Sequence, residues 1–303
     1  MDARIVPLRF DATALDGLSE RLLQSHHQNN YGGAVKRLNA IRQKLEAGGF
    51  AERPGFELNG LKREELIAAN SMALHEVYFD VLGNDRTDMP PAFEVALQAS
   101  FGSRARWQEE FVAMGKALGG GSGWVLLTFS PREGRLINQW ASDHAHALAA
   151  ATPVLALDMY EHAYHIDYGA NAAAYVDAFM RNIDWKAVHT RYQQAVLAAS
   201  APWRTTKAEV GSTRLIDVRR EAIFAQASSR LPGASWRNPA NIDAWANDVP
   251  AGEPVVVYCV HGHDLSQAAA LRLRVAGVDA RYLDGGIEEW QASGGSVEPK
   301  EMA

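Results

Sequence analysis

From residue 13 to about 46, apolar residues recur every three or four positions: Leu15, Leu18, Leu22, Val35, Leu38, Ile41 and Leu45, with His26 on the same face. That spacing predicts helix. Gly48-Gly49 and Pro54-Gly55 break the pattern. A second helix is expected from about Lys62 to Leu82, stopped by Gly83-Asn84-Asp85, with Met89-Pro90-Pro91 as the hinge that follows. Helical spacing returns over 92–101 and 104–118. A glycine-rich break, 119–123, leads into apolar runs at Trp124 to Phe129, Leu136 to Trp140 and Val154 to Leu157, which read as strands. Helices are expected from 161 to about 199.

After Ala198-Ala199-Ser200-Ala201-Pro202 the rhythm changes. Small residues and a proline suggest a linker over 198–206. Beyond it, short apolar runs alternate with helical ones. Arg214 to Val218 and Pro254 to Cys259 have the continuous apolar character of buried parallel strands. Ser266 to Ala276 reads as a helix and Ala280 to Leu283 as another strand, an α/β pattern. The expected division is 1–88, 89–197, a linker over 198–206, and 207–303.

A chain of 303 residues has length for two cores. Its net charge of −6, with acids and bases interspersed, argues against a nucleic-acid partner. No apolar run is long enough to span a bilayer. Met1-Asp2-Ala3-Arg4 lacks the features of a secretory signal. Cys259 is the one cysteine, so no intrachain disulfide can form. These features point to the cytoplasm.

Asp158 ends an apolar run, an unusual place for a carboxylate without a partner. Four residues on, His162 falls within reach of the same ion. His26 and His75 lie in two apolar helices that antiparallel packing could bring face to face. Three imidazoles and one carboxylate suit a redox-active first-row metal better than a structural zinc. A histidine on an apolar face is more often a core residue, so the residues alone leave both readings open.

Asp158-Met159-Tyr160-Glu161-His162-Ala163-Tyr164 resembles the Asp-x-Trp-Glu-His-Ala-Tyr motif of the iron/manganese superoxide dismutases. Leu38-Asn39, the segment Asn70 to Phe79, Gly121-Ser122-Gly123-Trp124 and Ile183-Asp184-Trp185 match that family in order, over residues 5–195. The resemblance implies an α+β fold, with a helical hairpin followed by an α/β domain containing a three-stranded antiparallel sheet. It implies that His26, rather than His27, joins His75, Asp158 and His162 around one iron or manganese ion per chain. Superoxide would be the substrate, and dioxygen and hydrogen peroxide the products. Trp124 and Tyr160 would line the pocket. Glu161 would bridge to a second copy in a homodimer.

Other family positions differ. The outer glutamine of the iron type is Ser71, and His144, with His146 competing, becomes the candidate to bond the metal's solvent. The gateway histidine and tyrosine are Asn30 and Ala34, and Tyr31 is the candidate substitute hydroxyl. His165 replaces the tyrosine facing the gateway across the dimer, and Ala172 replaces an anion-attracting arginine.

Cys259 ends a strand and precedes Val260-His261-Gly262-His263-Asp264, with a helix opening just beyond. Amides and dipole at a helix start favour a thiolate. Leu215 to Arg219, Leu231-Pro232-Gly233-Ala234, Val257-Tyr258-Cys259 and Leu283 to Trp290 make residues 207–297 resemble a single rhodanese domain, an α/β fold with a parallel sheet. The resemblance implies a persulfide on Cys259 and a sulfane-sulfur donor. Asp264 stands where that loop usually ends in arginine, so a charge repelling thiosulfate is expected there. The whole chain reads as a dismutase with an appended cysteine module. The alternative is a sulfur-transfer or thiol-redox protein whose N-terminal half is a metal-binding dimerisation scaffold.

Overall fold

The computed structural model describes residues 2–83 and 88–300, so Met1 and the helix stop read at Asn84-Asp85 lie outside the described residues. The first helical arm comprises α1 (Glu20–Ser25), a wide π turn (His26–Tyr31) and α2 (Gly32–Glu46). Ser19 caps α1, its hydroxyl accepting from Leu22 N at 3.1 Å. Leu22, Leu23, Val35 and Leu38 are buried, as the sequence spacing implies. The second arm, α3 (Gly55–Asp80), begins seven residues earlier than its periodicity suggested, directly after Pro54. The two arms form a hairpin, α2 packing against α3.

Helices α4 (Pro91–Phe101) and α5 (Arg104–Ala117) lead into β1 (Trp124–Ser130), β2 (Arg135–Ala141) and β3 (Thr152–Asp158). These strands form an antiparallel sheet in the order β2-β1-β3. Register places Trp124 opposite Asp158. The helices expected beyond 161 are a short 3₁₀ turn (Glu161–Ala163), α6 (His165–Tyr168), α7 (Ala172–Arg181) and α8 (Trp185–Ser200). Gly169 breaks α6, while Asn171 and Asp184 cap the helices that follow.

The C-terminal unit contains β4 (Arg204–Thr205), β5 (Arg214–Asp217), α9 (Glu221–Gln226), β6 (Ser229–Arg230), β7 (Ser235–Trp236), α10 (Ile242–Trp245) and β8 (Pro254–Tyr258). It is completed by α11 (Asp264–Val275), β9 (Asp279–Leu283), α12 (Gly286–Ala292) and β10 (Glu298–Pro299). Five parallel strands run in the order β4-β9-β8-β5-β7, and β10 pairs separately with β6. Val255 and Val257 enter one core cluster and Val256 and Tyr258 another, so β8 is covered on both faces.

No extended linker separates the units. Helix α8 continues to Ser200, a 3₁₀ turn follows at Ala201–Trp203, and β4 joins the C-terminal sheet beside β9. Alanine is the strongest helix former, so Ala198 and Ala199 extend the helix. Helix α11 packs on α8, and Leu271 lies in the N-terminal core cluster. Arg272 donates to the carbonyl of Glu133 at 2.6 Å.

Gly134 packs close against the backbone of α11 across this interface. Its φ is +63°, and a Cβ there would lie 3.0 Å from Arg272 N. Gly134→Ala is therefore expected to lower stability by about 1–3 kcal/mol, through strain and a displaced α11. The reading is the urea midpoint at constant m-value; an unchanged midpoint contradicts the close packing.

Candidate metal centre

Four parts of the chain deliver one cluster. The π turn supplies His26, α3 supplies His75, the end of β3 supplies Asp158 and the following 3₁₀ turn supplies His162. Asp158 Oδ2 lies 3.1 Å from His26 Nε2, 3.4 Å from His75 Nε2 and 3.2 Å from His162 Nε2. One potential ligand atom from each residue falls within 4.8 Å of all the others. Asp158 and His26 are fully buried, and His162 is partly exposed.

Surrounding bonds fix the orientation. Asp158 Oδ1 accepts from Tyr160 N at 2.8 Å, while the Asp158 carbonyl accepts from Tyr175 Oη at 2.8 Å. That leaves Oδ2 turned toward the imidazoles. His75 Nδ1 donates to the Ser71 carbonyl one turn earlier, at 2.6 Å. In neutral His75 the proton therefore sits on Nδ1, and Nε2 presents a lone pair to the carboxylate oxygen. Two lone pairs face each other between nearly fully buried side chains, an arrangement that a cation between them would stabilise. His75 Nε2 and His26 Nδ1 make no hydrogen bond to any described residue. The donor set fits an iron or manganese ion.

Burial lowers the pKa of His26 and brings that of His75 down to about 3. Burial also pushes the Asp158 carboxyl upward, but the facing His162 and then His26 outweigh it and hold the group below its ordinary range. Neutral imidazoles and an ionised carboxylate are the forms that ligate metals.

A cavity of about 190 Å³ reaches His75 and His162 from outside, past Asn30, Ala34, Arg37, Ser71 and His144. His144 Nδ1 accepts from Trp124 Nε1 at 3.0 Å. Because indole nitrogen only donates, neutral His144 carries its proton on Nε2. The His144 ring stacks on Tyr160 at 4.8 Å. Asn70 Nδ2 holds the His144 carbonyl at 2.6 Å. His146, in contrast, bonds Ser142 Oγ at 2.9 Å and does not line this cavity.

Tyr31 does not supply the expected substitute hydroxyl. Its Oη accepts from Val6 N at 2.9 Å and donates to Glu76 Oε1 at 3.0 Å, and it borders a different cavity. Burial raises its pKa to about 12. Arg37 was missed by the sequence reading. Asn30, Ala34 and Arg37 follow an i, i+4, i+7 spacing, the signal that could have placed all three on one face. Glu161 and His165 are exposed on this chain.

In the C-terminal unit, Cys259 lies just beyond β8 and is 4% exposed. Its Sγ lies 3.3 Å from Ser266 Oγ on α11. Gly262 has φ +71°, and a Cβ there would lie 2.6 Å from the Leu283 carbonyl, so the loop requires glycine. His261 pairs with Glu288, and the exposed His263 ring lies 5.6 Å from that of His261. Asp264 departs from expectation. It is the first residue of α11 and is 4% exposed, with its carboxylate bound to His189 Nε2 at 3.0 Å and Gln193 Nε2 at 3.1 Å. These two α8 side chains occupy it, so it does not stand as an open charge toward an incoming donor.

Residues 90–191 match the family model for the C-terminal domain of iron/manganese superoxide dismutases, and residues 202–293 match that for the rhodanese-like domain. The iron superoxide dismutase of Cupriavidus metallidurans is 67% identical over 190 residues, covering 63% of this chain and 96% of the relative. That of Aquifex aeolicus is 31% identical over 194 residues, covering 62% and 90%. Manganese superoxide dismutase 1 of Haloferax volcanii is 32% identical over 202 residues, covering 64% and 97%.

The buried imidazoles imply acid sensitivity. In the unfolded chain they take protons below their ordinary 6.5, whereas folded His26 and His75 stay neutral further down. The unfolded state then binds more protons, and stability falls with pH. Asp158 acts in the same direction below its ordinary 3.8. The metal-free protein is expected to lose urea stability from pH about 6.5 downward. The loss should be steeper than in His75→Gln, which removes one titrating group. Equal slopes in the two proteins would contradict a neutral, buried His75.

Proposed function

This chain belongs to the iron/manganese superoxide dismutase family, and on that premise we propose that it disproportionates superoxide at one iron or manganese ion held by His26, His75, Asp158 and His162. The observation carrying this reading is the single Asp158 oxygen faced by three imidazole nitrogens in a buried site. Iron is favoured because the 67% identical relative is named for iron. When bound, the ion supplies one-electron chemistry through which one superoxide becomes dioxygen and another, with two protons, becomes hydrogen peroxide.

The chain's own residues bring in the anion and position a proton. Arg37 places positive charge at the cavity wall, near the route to His75 and His162. It takes over the attraction that Ala172 cannot provide. Trp124 fixes the His144 tautomer and keeps a proton on Nε2, giving the site a neutral donor. Trp124 and Tyr160 hold the ring in place, the first by hydrogen bond and the second by stacking. Asn30 and Ala34 themselves add no titrating group to the cavity wall.

Among the described residues no helix is long and apolar enough to cross a membrane. The reading adopted is a cytoplasmic antioxidant enzyme acting as a homodimer through the face that carries Glu161 and His165. The appended rhodanese-like domain is read as a second centre. Cys259, between a strand end and a helix start, accepts sulfane sulfur from a donor. The complete ligand cluster argues against the N-terminal half being a scaffold alone.

Purified protein should contain one iron or manganese per chain and dismute superoxide, and Asp158→Ala should lose both metal and activity. His144→Ala should keep its metal while turnover falls about 10- to 100-fold. His146→Ala should match wild type. Stoichiometric zinc without dismutase activity in correctly metallated protein would overturn the assignment, and equal turnover in the two histidine variants would remove His144 from it.

Arg37 is tested separately. Arg37→Ala is expected to lower kcat/KM about two- to tenfold at low ionic strength and to flatten its salt dependence, while Arg37→Lys retains most of both. A salt dependence identical to wild type in Arg37→Ala would exclude steering by this residue.

A further inference from the structure

The loop that holds Cys259 ends on the other domain. Its last residue, Asp264, opens α11, yet its carboxylate bonds two side chains of α8. His189 and Gln193 are four residues apart, which puts them on one face of that helix. Their nitrogens reach different oxygens: His189 Nε2 lies 3.0 Å from Oδ2 and Gln193 Nε2 lies 3.1 Å from Oδ1. At 4% exposure this carboxylate is almost fully removed from water and has lost most of its hydration. The loop's other end is tied within the C-terminal unit: Cys259 Sγ faces Ser266 Oγ and the Cys259 carbonyl accepts from Ile287 N at 3.0 Å.

We propose that His189 and Gln193 are positioning residues for the cysteine loop, holding the Asp264 carboxylate on α8 so that its charge does not oppose a thiolate at Cys259. The N-terminal domain thereby completes the loop of the C-terminal one. A carboxylate at the start of α11 competes with a thiolate for the same helix-start amides and dipole. Bonding to α8 supplies Asp264 with its own donors. Burial raises the Asp264 carboxyl, but the His189 and Gln193 bonds outweigh this and keep it ionised. The charge is thus retained but occupied. Geometry explains how an acidic residue can stand beside a functional thiol where arginine is usual. This inference rests on Cys259 being the working group of the rhodanese-like domain, and its test reads the thiol directly whether or not sulfur is transferred.

Cys259 is the chain's one cysteine, so alkylation by iodoacetamide, a neutral reagent, reports on it alone. The full chain is compared with His189→Ala/Gln193→Ala, and with the same double variant carrying Asp264→Asn. Releasing the carboxylate is expected to slow alkylation at pH 7 about threefold or more. Neutralising it with Asp264→Asn should restore the rate to within about twofold of wild type. Unchanged dismutase activity and far-ultraviolet circular dichroism at 25 °C verify the fold, since an unpaired buried carboxylate lowers the thermal midpoint whatever the thiol does. If the double variant does not fold, Gln193→Ala with and without Asp264→Asn gives the same comparison at smaller amplitude. An unchanged rate, a faster rate, or slowing that Asp264→Asn leaves in place would overturn the proposal, because a merely structural clamp is not repaired by removing the charge.

Discussion

A carboxylate buried among three imidazoles governs this molecule. Asp158 has no exposure, and one of its oxygens is satisfied by Tyr160 N. The other faces three nitrogens, of which His75 Nε2 has no proton to offer because Nδ1 gives its proton to Ser71. A buried charge costs several kcal/mol unless paired. A metal ion between them would supply the missing positive charge at the point where four separated segments converge.

The surrounding fold serves that convergence. Antiparallel pairing sets Asp158 opposite Trp124, and Trp124 in turn fixes the proton on His144. The hairpin brings the π turn against α3, so His26 and His75 meet with ring centroids 5.0 Å apart. The cysteine unit packs against this framework. Helix α8 runs past the metal domain into the C-terminal sheet, and α11 packs back on it. Leu271, Arg272 and Asp264 each cross the boundary, through core packing, a carbonyl bond and a hydrogen bond to His189.

Local patterns made much of this legible. Helical spacing located the hairpin, and continuous apolar runs located β1, β3 and β8. The Asp158 to Tyr164 motif and the Leu38-Asn39 pair identified the cluster that the structure brings together. Long-range partners were not legible. Tyr31 lies near Ala34 in sequence, but Val6 and Glu76 determine where its hydroxyl goes. Asp264 was placed by its loop, yet His189 lies 75 residues earlier on another domain. Periodicity also could not separate His144 from His146, since both occupy a loop and long-range contacts such as the Trp124 bond distinguish them. The supposed linker was a composition signal that alanine's helix preference overrode.

Anomalous diffraction from crystals of the purified protein, at the iron and manganese absorption edges, tests the central claim most directly. The account predicts one strong peak per chain, about 2.0–2.2 Å from Nε2 of His26, His75 and His162 and from Asp158 Oδ2. A peak at the zinc edge alone, or iron or manganese density elsewhere with these four side chains bonded only to one another, would contradict it.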